Sequence, residues 1–133
     1  REATFVINTD PERGQLTSLQ CGLQEVYSSE PMADYVFFTP VDYPSIRESS
    51  VTSVREHAGP YPVVPEYNGR HGHPVLIPTT LIPEFLALNE TETARVVMHR
   101  HAGRTRYVDV DDPGILLDVD DPEAYRAITQ GIL

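Results

Sequence analysis

Lysine does not occur among the 133 residues, so all 10 basic side chains are arginine, and against 20 carboxylates they leave a formal charge of −10. Such an acidic surface repels phosphate backbones and excludes a general nucleic-acid binder. Cysteine is almost absent as well. Cys21 alone rules out an intrachain disulfide and a multi-cysteine metal site, and it fits a reducing, cytoplasmic setting. No apolar run approaches the ~20 residues that cross a bilayer, so no membrane partner is expected. The chain opens at Arg1 with neither Met nor a signal-type apolar segment, which predicts a piece of a longer protein. A G-x-S-x-G elbow, an H-E-x-x-H helix, a full Walker loop and a G-x-G-x-x-G fingerprint are all missing, and with them the signatures of several hydrolase and nucleotide-binding chemistries.

What is present suits one domain with one core, given 40% apolar residues over this length. Ala3 to Ile7 is β-rich and predicts a strand. Turn formers from Asn8 to Gly14 follow, and Leu16, Leu19, Leu23 and Val26 then line one face of a helix to about Ser28. A second strand is expected at Tyr35 to Phe38, and a helix at Ile46 to His57, behind Pro44. Tyr61 to Tyr67 and His73 to Ile77 flank Asn68-Gly69, a dipeptide that favours a tight hairpin turn, with prolines placing the hairpin near a sheet edge. Helices at Ile82 to Leu88 and Glu92 to His101, strands at Thr105 to Val110 and Ile115 to Val119, and a helix from Pro122 to Gln130 capped by Asp121 complete the pattern. The order predicts an α/β fold of three layers with a mostly parallel sheet and a late β-hairpin.

Asp42 stands out chemically because it follows an apolar strand, where open α/β sheets place their ligands, in a loop stiffened by Pro40 and Pro44. A fixed carboxylate there suits a hard, oxygen-seeking Mg²⁺, while an Asx turn or helix cap is the structural alternative. Asp118 and Asp120 would share a face of the expected strand 115–119, so either or both could meet Asp42 across the sheet edge. Asp121 and Glu123 suit a helix start, and Asp109, Asp111 and Asp112 read as solvent-facing residues beside a Pro-Gly turn. Gly14, with Ser18 a turn further on, offers exposed amides and a hydroxyl to a polar ligand. His71 with His73, and His99 with His101, lack the nearby partners of a closed zinc site.

With those segments placed, the chain resembles the molybdenum-cofactor nucleotidyltransferases, the MobA-like NTP transferases, and within them the cytidylyltransferase branch that modifies molybdopterin. Gly14 to Gly22 with Ser18-Leu19 is similar to the family's G-M-x-x-S-L-x-x-G segment, and Asp42-Tyr43-Pro44 to its D-x-P metal loop. Val64 to Leu76 is similar to V-P-x-Y-x-G-x-x-G-H-P-V-L, Thr93-Ala94-Arg95 to a G-A-R element, and Asp118 to Tyr125 to D-V-D-T-P-E-D-L. Gln15, Thr93, Asp121 and Ala124 depart from the pattern, and the family's N-terminal Gly-rich loop with its Lys is not found.

The resemblance implies a Rossmann-like nucleotidyltransferase fold whose N-terminal strand-loop-helix-strand part is missing, so that residues 1–133 would be the C-terminal two-thirds of one domain. It implies transfer of a nucleoside monophosphate from an NTP, CTP by the branch resembled, to a phosphate-bearing acceptor such as molybdopterin, with release of pyrophosphate. Asp42 and Asp120 would be catalytic Mg²⁺ ligands, Gly14 and Ser18 would line the nucleoside pocket, and Gly72 and His73 would lie on the acceptor side. In the family's 3-2-1-4 sheet, residues 3–7 would be strand 3 and residues 35–38 strand 4, leaving a gap for a longer chain, a homo-oligomer or a second chain to fill. Without the phosphate loop this chain alone is expected to be inactive. A non-catalytic nucleotide-binding or regulatory module, and a sugar-1-phosphate nucleotidyltransferase on the same fold, are the alternatives.

Overall fold

The computed structural model describes residues 3–120 and 122–130. The chain divides into two compact units, residues 1–36 with 78–103, and residues 37–77 with 104–133.

In the first unit a 3-10 turn at Pro11–Arg13 leads into α1 (Gln15–Tyr27). The leucine stripe does what its spacing predicts, burying Leu16 and Leu23, with Leu19 and Val26 half-buried. A second 3-10 turn (Thr79–Leu81) runs into α3 (Ile82–Leu86), and α4 (Arg95–Arg100) follows. Ile82, Phe85 and Val97 are fully buried. Gln20 on α1 donates its side-chain amide to the carbonyls of Phe85 and Leu88 (2.9 and 3.1 Å), in the last turn of α3 and just past its end.

In the second unit, α2 (Glu48–Arg55) packs beside a sheet built on β2 (Val63–Tyr67). The chain turns at Asn68 (φ 50°) and Gly69 (φ 74°), the paired positive φ values of a tight hairpin, and returns as β3 (Arg70–His71) and β4 (Val75–Pro78). The core here is Val54, Val63, Leu76 and Val108, with Phe37, Ala58 and Val110 packed against it. β1 (Tyr35–Phe38) neighbours β4, and β5 (Arg106–Asp109) lies along β2. After β5 come a 3-10 turn (Pro113–Leu116) and α5 (Pro122–Thr129).

The α/β class holds, but four expectations need correction. The sheet is mostly antiparallel in its described register: β3 and β4 run antiparallel to β2, and β5 alone runs parallel to it, because the hairpin folds both return segments back across β2. β2 is interior rather than near an edge, despite Pro65. Pro62 and Glu66 offer their carbonyls to Arg106 and Val110 on the β5 side, whereas the Pro65 carbonyl accepts from the Gly72 amide, so the donor that proline lacks would have faced the return strand.

Residues 3–7 form no strand, and Phe5 and Ile7 are 90% and 82% exposed. β-propensity needs a partner strand to act on, and none of the described strands pairs with them. They therefore do not supply strand 3 of the expected 3-2-1-4 order, and the described neighbour of β1 is β4. Residues 115–119 are likewise not a strand. Asp112-Pro113-Gly114 imposes a turn, with the Asp112 carboxylate accepting from the Gly114 amide at 2.8 Å, and Ile115 is buried within it. Asp121 as a helix cap falls outside the described residues.

Candidate active site

Four segments of the second unit converge through their backbones. The loop after β1 carries Asp42 and Tyr43, and the Asp42 carbonyl accepts from the Val119 amide at 2.7 Å. That bond sets Asp118 and Asp120, the residues either side of Val119, beside the Asp42 loop; both side chains are exposed. With no strand at 115–119, the expectation that Asp118 and Asp120 share a strand face does not hold.

His73 comes from a local irregularity in the sheet. Glu66 pairs with His71 and Val63 with Leu76, so the three steps along β2 are matched by five on the returning chain, and the excess falls at Gly72-His73-Pro74. The His73 amide leaves the ladder and donates to the Ile115 carbonyl at 3.0 Å. Gly72 is required at this crossing, since a Cβ there would overlap the Ile115 carbonyl oxygen and lie 2.9 Å from the Ile115 Cβ.

Two polar atoms in the cluster are buried without a hydrogen-bond partner: Asp42 Oδ1 and His73 Nδ1. Buried polar atoms are normally satisfied, and exceptions collect where a ligand or ion belongs. Burial lowers the His73 pKa, and the Asp42 charge offsets this only in part, so the imidazole is neutral near pH 7. Burial first, then the Asp118 and Asp42 charges, raise the Tyr43 phenol, which stays protonated. Tyr43 meets the His73 ring edge to face. The carboxylate oxygens of Asp42, Asp118 and Asp120 are the hard donors that a divalent cation takes, and the orphaned Asp42 oxygen suits such a ligand. No group of three or more candidate ligands is already gathered among the described residues.

In the first unit, Gly14 opens α1 at φ 96°, and Ser18 is exposed, its hydroxyl accepting from the Asn8 side-chain amide at 3.0 Å. A shallow groove of about 490 Å³ runs beside α1, lined by Asn8, Asp10, Arg13, Thr17, Cys21 and Glu25 among others; Gly14 and Ser18 do not line it. His71 is half-exposed, stacked on Tyr107 with centroids 4.0 Å apart and 3.2 Å from Glu66, so it is more than a free surface side chain.

Tyr43 and Asp112 escaped the sequence reading. The signal for Tyr43 is its place between Asp42 and Pro44. For Asp112 it is the Asp-Pro-Gly triplet, yet Asp112 was expected in solvent and is 2% exposed.

The model of the MobA-like NTP transferase domain matches residues 1–105. The chain belongs to this family. A comparison with curated proteins found no match. Among solved structures it is similar to a homologue of Mycobacterium tuberculosis Rv0371c from Mycobacterium sp. strain JC1, with 25% identity, a TM-score of 0.67, and coverage of 86% of this chain and 57% of that one. Rv0371c from M. tuberculosis H37Rv shares the fold at 23% identity and a TM-score of 0.70, with coverage of 87% and 60%. The chain thus spans less than two thirds of the length of either neighbour. Family members use a nucleotide, an acceptor and generally a divalent metal. No described helix is long and apolar enough to cross a membrane.

Proposed function

We propose that the full-length protein transfers a nucleoside monophosphate from an NTP to a phosphate-bearing acceptor. CTP and molybdopterin are the pair that resemblance to the cytidylyltransferase branch favours. One observation carries the reading: within a family of NTP transferases, the Asp42 loop holds a buried carboxylate oxygen with no partner, in a cluster with a buried and equally unpartnered imidazole nitrogen.

In this reading Asp42 and Asp120 hold a divalent cation, taken as Mg²⁺. That ion would neutralise phosphate charge and align the reacting groups. An acceptor phosphate oxygen forms a bond to the α-phosphorus, the α–β bridging P–O bond breaks, and pyrophosphate leaves with the electron pair. Gly72 lets the chain carrying His73 lie close against Ile115, and neutral His73 gives the acceptor side a hydrogen-bonding edge. Gly14 and Ser18 are assigned to the nucleoside.

Residues 1–133 are proposed to be the C-terminal two-thirds of the transferase domain and inactive alone, in keeping with their share of the neighbours' length. The test is to incubate full-length protein with CTP, GTP, ATP or UTP, each with molybdopterin or a sugar 1-phosphate, and to measure pyrophosphate. Release that needs both CTP and molybdopterin is expected. Release with a sugar phosphate instead would move the acceptor assignment, and none with any pair would overturn the reading.

A further inference from the structure

Asp112 is a carboxylate 2% exposed, more than 60 residues in sequence from two of the groups it binds. It accepts from the Arg47 amide (2.8 Å), the Ser50 hydroxyl (2.7 Å) and the Gly114 amide (2.8 Å), and the Arg47 guanidinium lies 3.8 Å away. Charge-assisted bonds of this kind are the strong ones, and three on one buried group fix its position. On one side it anchors the residues that enter α2, at the end of the loop that began with Asp42. On the other it closes the turn 113–116.

That turn touches each remaining part of the cluster. Gly114 packs so closely on the Ser45 carbonyl that a Cβ would overlap it. The Ile115 carbonyl receives the His73 amide, and Gly72 lies against Ile115. From the same turn the chain runs to Val119, whose amide returns to Asp42. A closed circuit thus joins Asp42, Ser45, Arg47, Asp112, Ile115 and Val119, with His73 attached at Ile115.

We infer that Asp112 is a positioning residue, the internal clamp that sets the Asp42 loop, the His73 bulge and the Asp118–Asp120 segment in register with one another. The inference rests on the proposed function for what the cluster binds, and on the hydrogen bonds alone for how it is held. Asparagine at 112 keeps the shape but replaces one acceptor oxygen with a donor, which sets N–H against the Arg47 amide if it takes the Oδ2 position and against the Gly114 amide if it takes the Oδ1 position.

The experiment titrates Mn²⁺ into full-length protein carrying Asp112→Asn, Ser50→Ala or Val54→Ala. Val54 is a fully buried core residue of α2 outside the circuit, so its truncation controls for lost stability. Residues that orient metal ligands typically change affinity by roughly tenfold to a hundredfold when altered. Asp112→Asn is expected to weaken Mn²⁺ binding by that factor, and Ser50→Ala by less. Val54→Ala is expected to stay within about twofold at temperatures where it is folded. Unchanged affinity in Asp112→Asn, or an equal loss in Val54→Ala, would overturn the inference.

If the unaltered protein binds no Mn²⁺, the metal reading fails, and the clamp is judged by NMR. The nuclear Overhauser contact between the Tyr43 and His73 rings should persist in Val54→Ala and vanish in Asp112→Asn or, if that variant does not fold, weaken in Ser50→Ala. Its full persistence in the folded Asp112 variant, or in Ser50→Ala where that is the one measured, would overturn the clamp.

Discussion

The rings of Tyr43 and His73 meet edge to face, with centroids 4.6 Å apart and planes inclined at 61°. This packing covers the imidazole from the side of the Asp42 loop. The resulting loss of solvent outweighs the Asp42 charge and lowers the His73 pKa.

A pH dependence follows from that direction. The folded imidazole gives up its proton more readily than an unfolded one, so below the ordinary value of about 6.5 the unfolded chain binds more protons and stability falls. The contribution is intact above pH 6.5 and is lost as pH drops through the folded pKa. Melting temperature measured from pH 7.5 to 5 should therefore fall more steeply for the unaltered protein than for His73→Gln. Parallel slopes would show that His73 titrates as an exposed residue.

Asp42→Asn keeps the size of the side chain and removes its charge. If the full-length protein is the transferase proposed and Asp42 holds its cation, turnover should drop by about three orders of magnitude, since charge stabilisation by a metal is worth several kcal/mol. Stability in urea should change by less than about 1 kcal/mol, because Asp42 Oδ1 has no hydrogen bond to lose. A large loss of stability with activity retained would make Asp42 a structural cap instead.

Glycine substitutions should divide by position. Gly72→Ala forces a methyl into the Ile115 backbone and should cost about 1–3 kcal/mol in urea unfolding. Gly22 lies in α1 with nothing within 4 Å of an added Cβ, and Gly22→Ala should raise stability by about 0.5–1 kcal/mol. Equal effects at the two sites would contradict the close approach at Gly72.

Burial alone would raise the Glu84 carboxyl, but hydrogen bonds and charges from Arg100 (2.5 Å) and His101 (3.0 Å) outweigh it and hold the group below its ordinary 4.5. Stability from this cluster is present above the unfolded value and is lost as pH falls through the folded one. Glu84→Gln should therefore melt earlier than the unaltered protein at pH 7, with the gap closing between pH 5 and 3. A gap independent of pH would point to packing rather than charge.

What the sequence revealed is what local chemistry decides. Asn68-Gly69 sets the hairpin because both residues tolerate positive φ, and the leucine stripe of α1 needs only a periodic face. The segments at 3–7 and 115–119 looked equally strand-like, yet none of the described strands pairs with the first and the second is overruled by Asp112-Pro113-Gly114. Asp42 was singled out by its neighbours in sequence, and His73 by the resemblance of Val64 to Leu76 to the family's hairpin motif. Asp112 was passed over because its partners Arg47 and Ser50 are remote in the chain, and the Asp-Pro-Gly triplet marks the turn without marking the burial of its carboxylate.

Pro65 gives the sheet an unusual freedom. In the interior of a sheet, looping out a residue ordinarily strands a donor on the opposite chain, so insertions are confined to rims. Opposite the bulge the donor is already absent, and the Pro65 carbonyl is satisfied by Gly72. The excursion that carries His73 therefore leaves no broken bond behind it, and β4 resumes its pairing at Leu76. The side chain at residue 73 can thus be exchanged while the pairings of Glu66 with His71 and of Val63 with Leu76, on either side of it, stay in register.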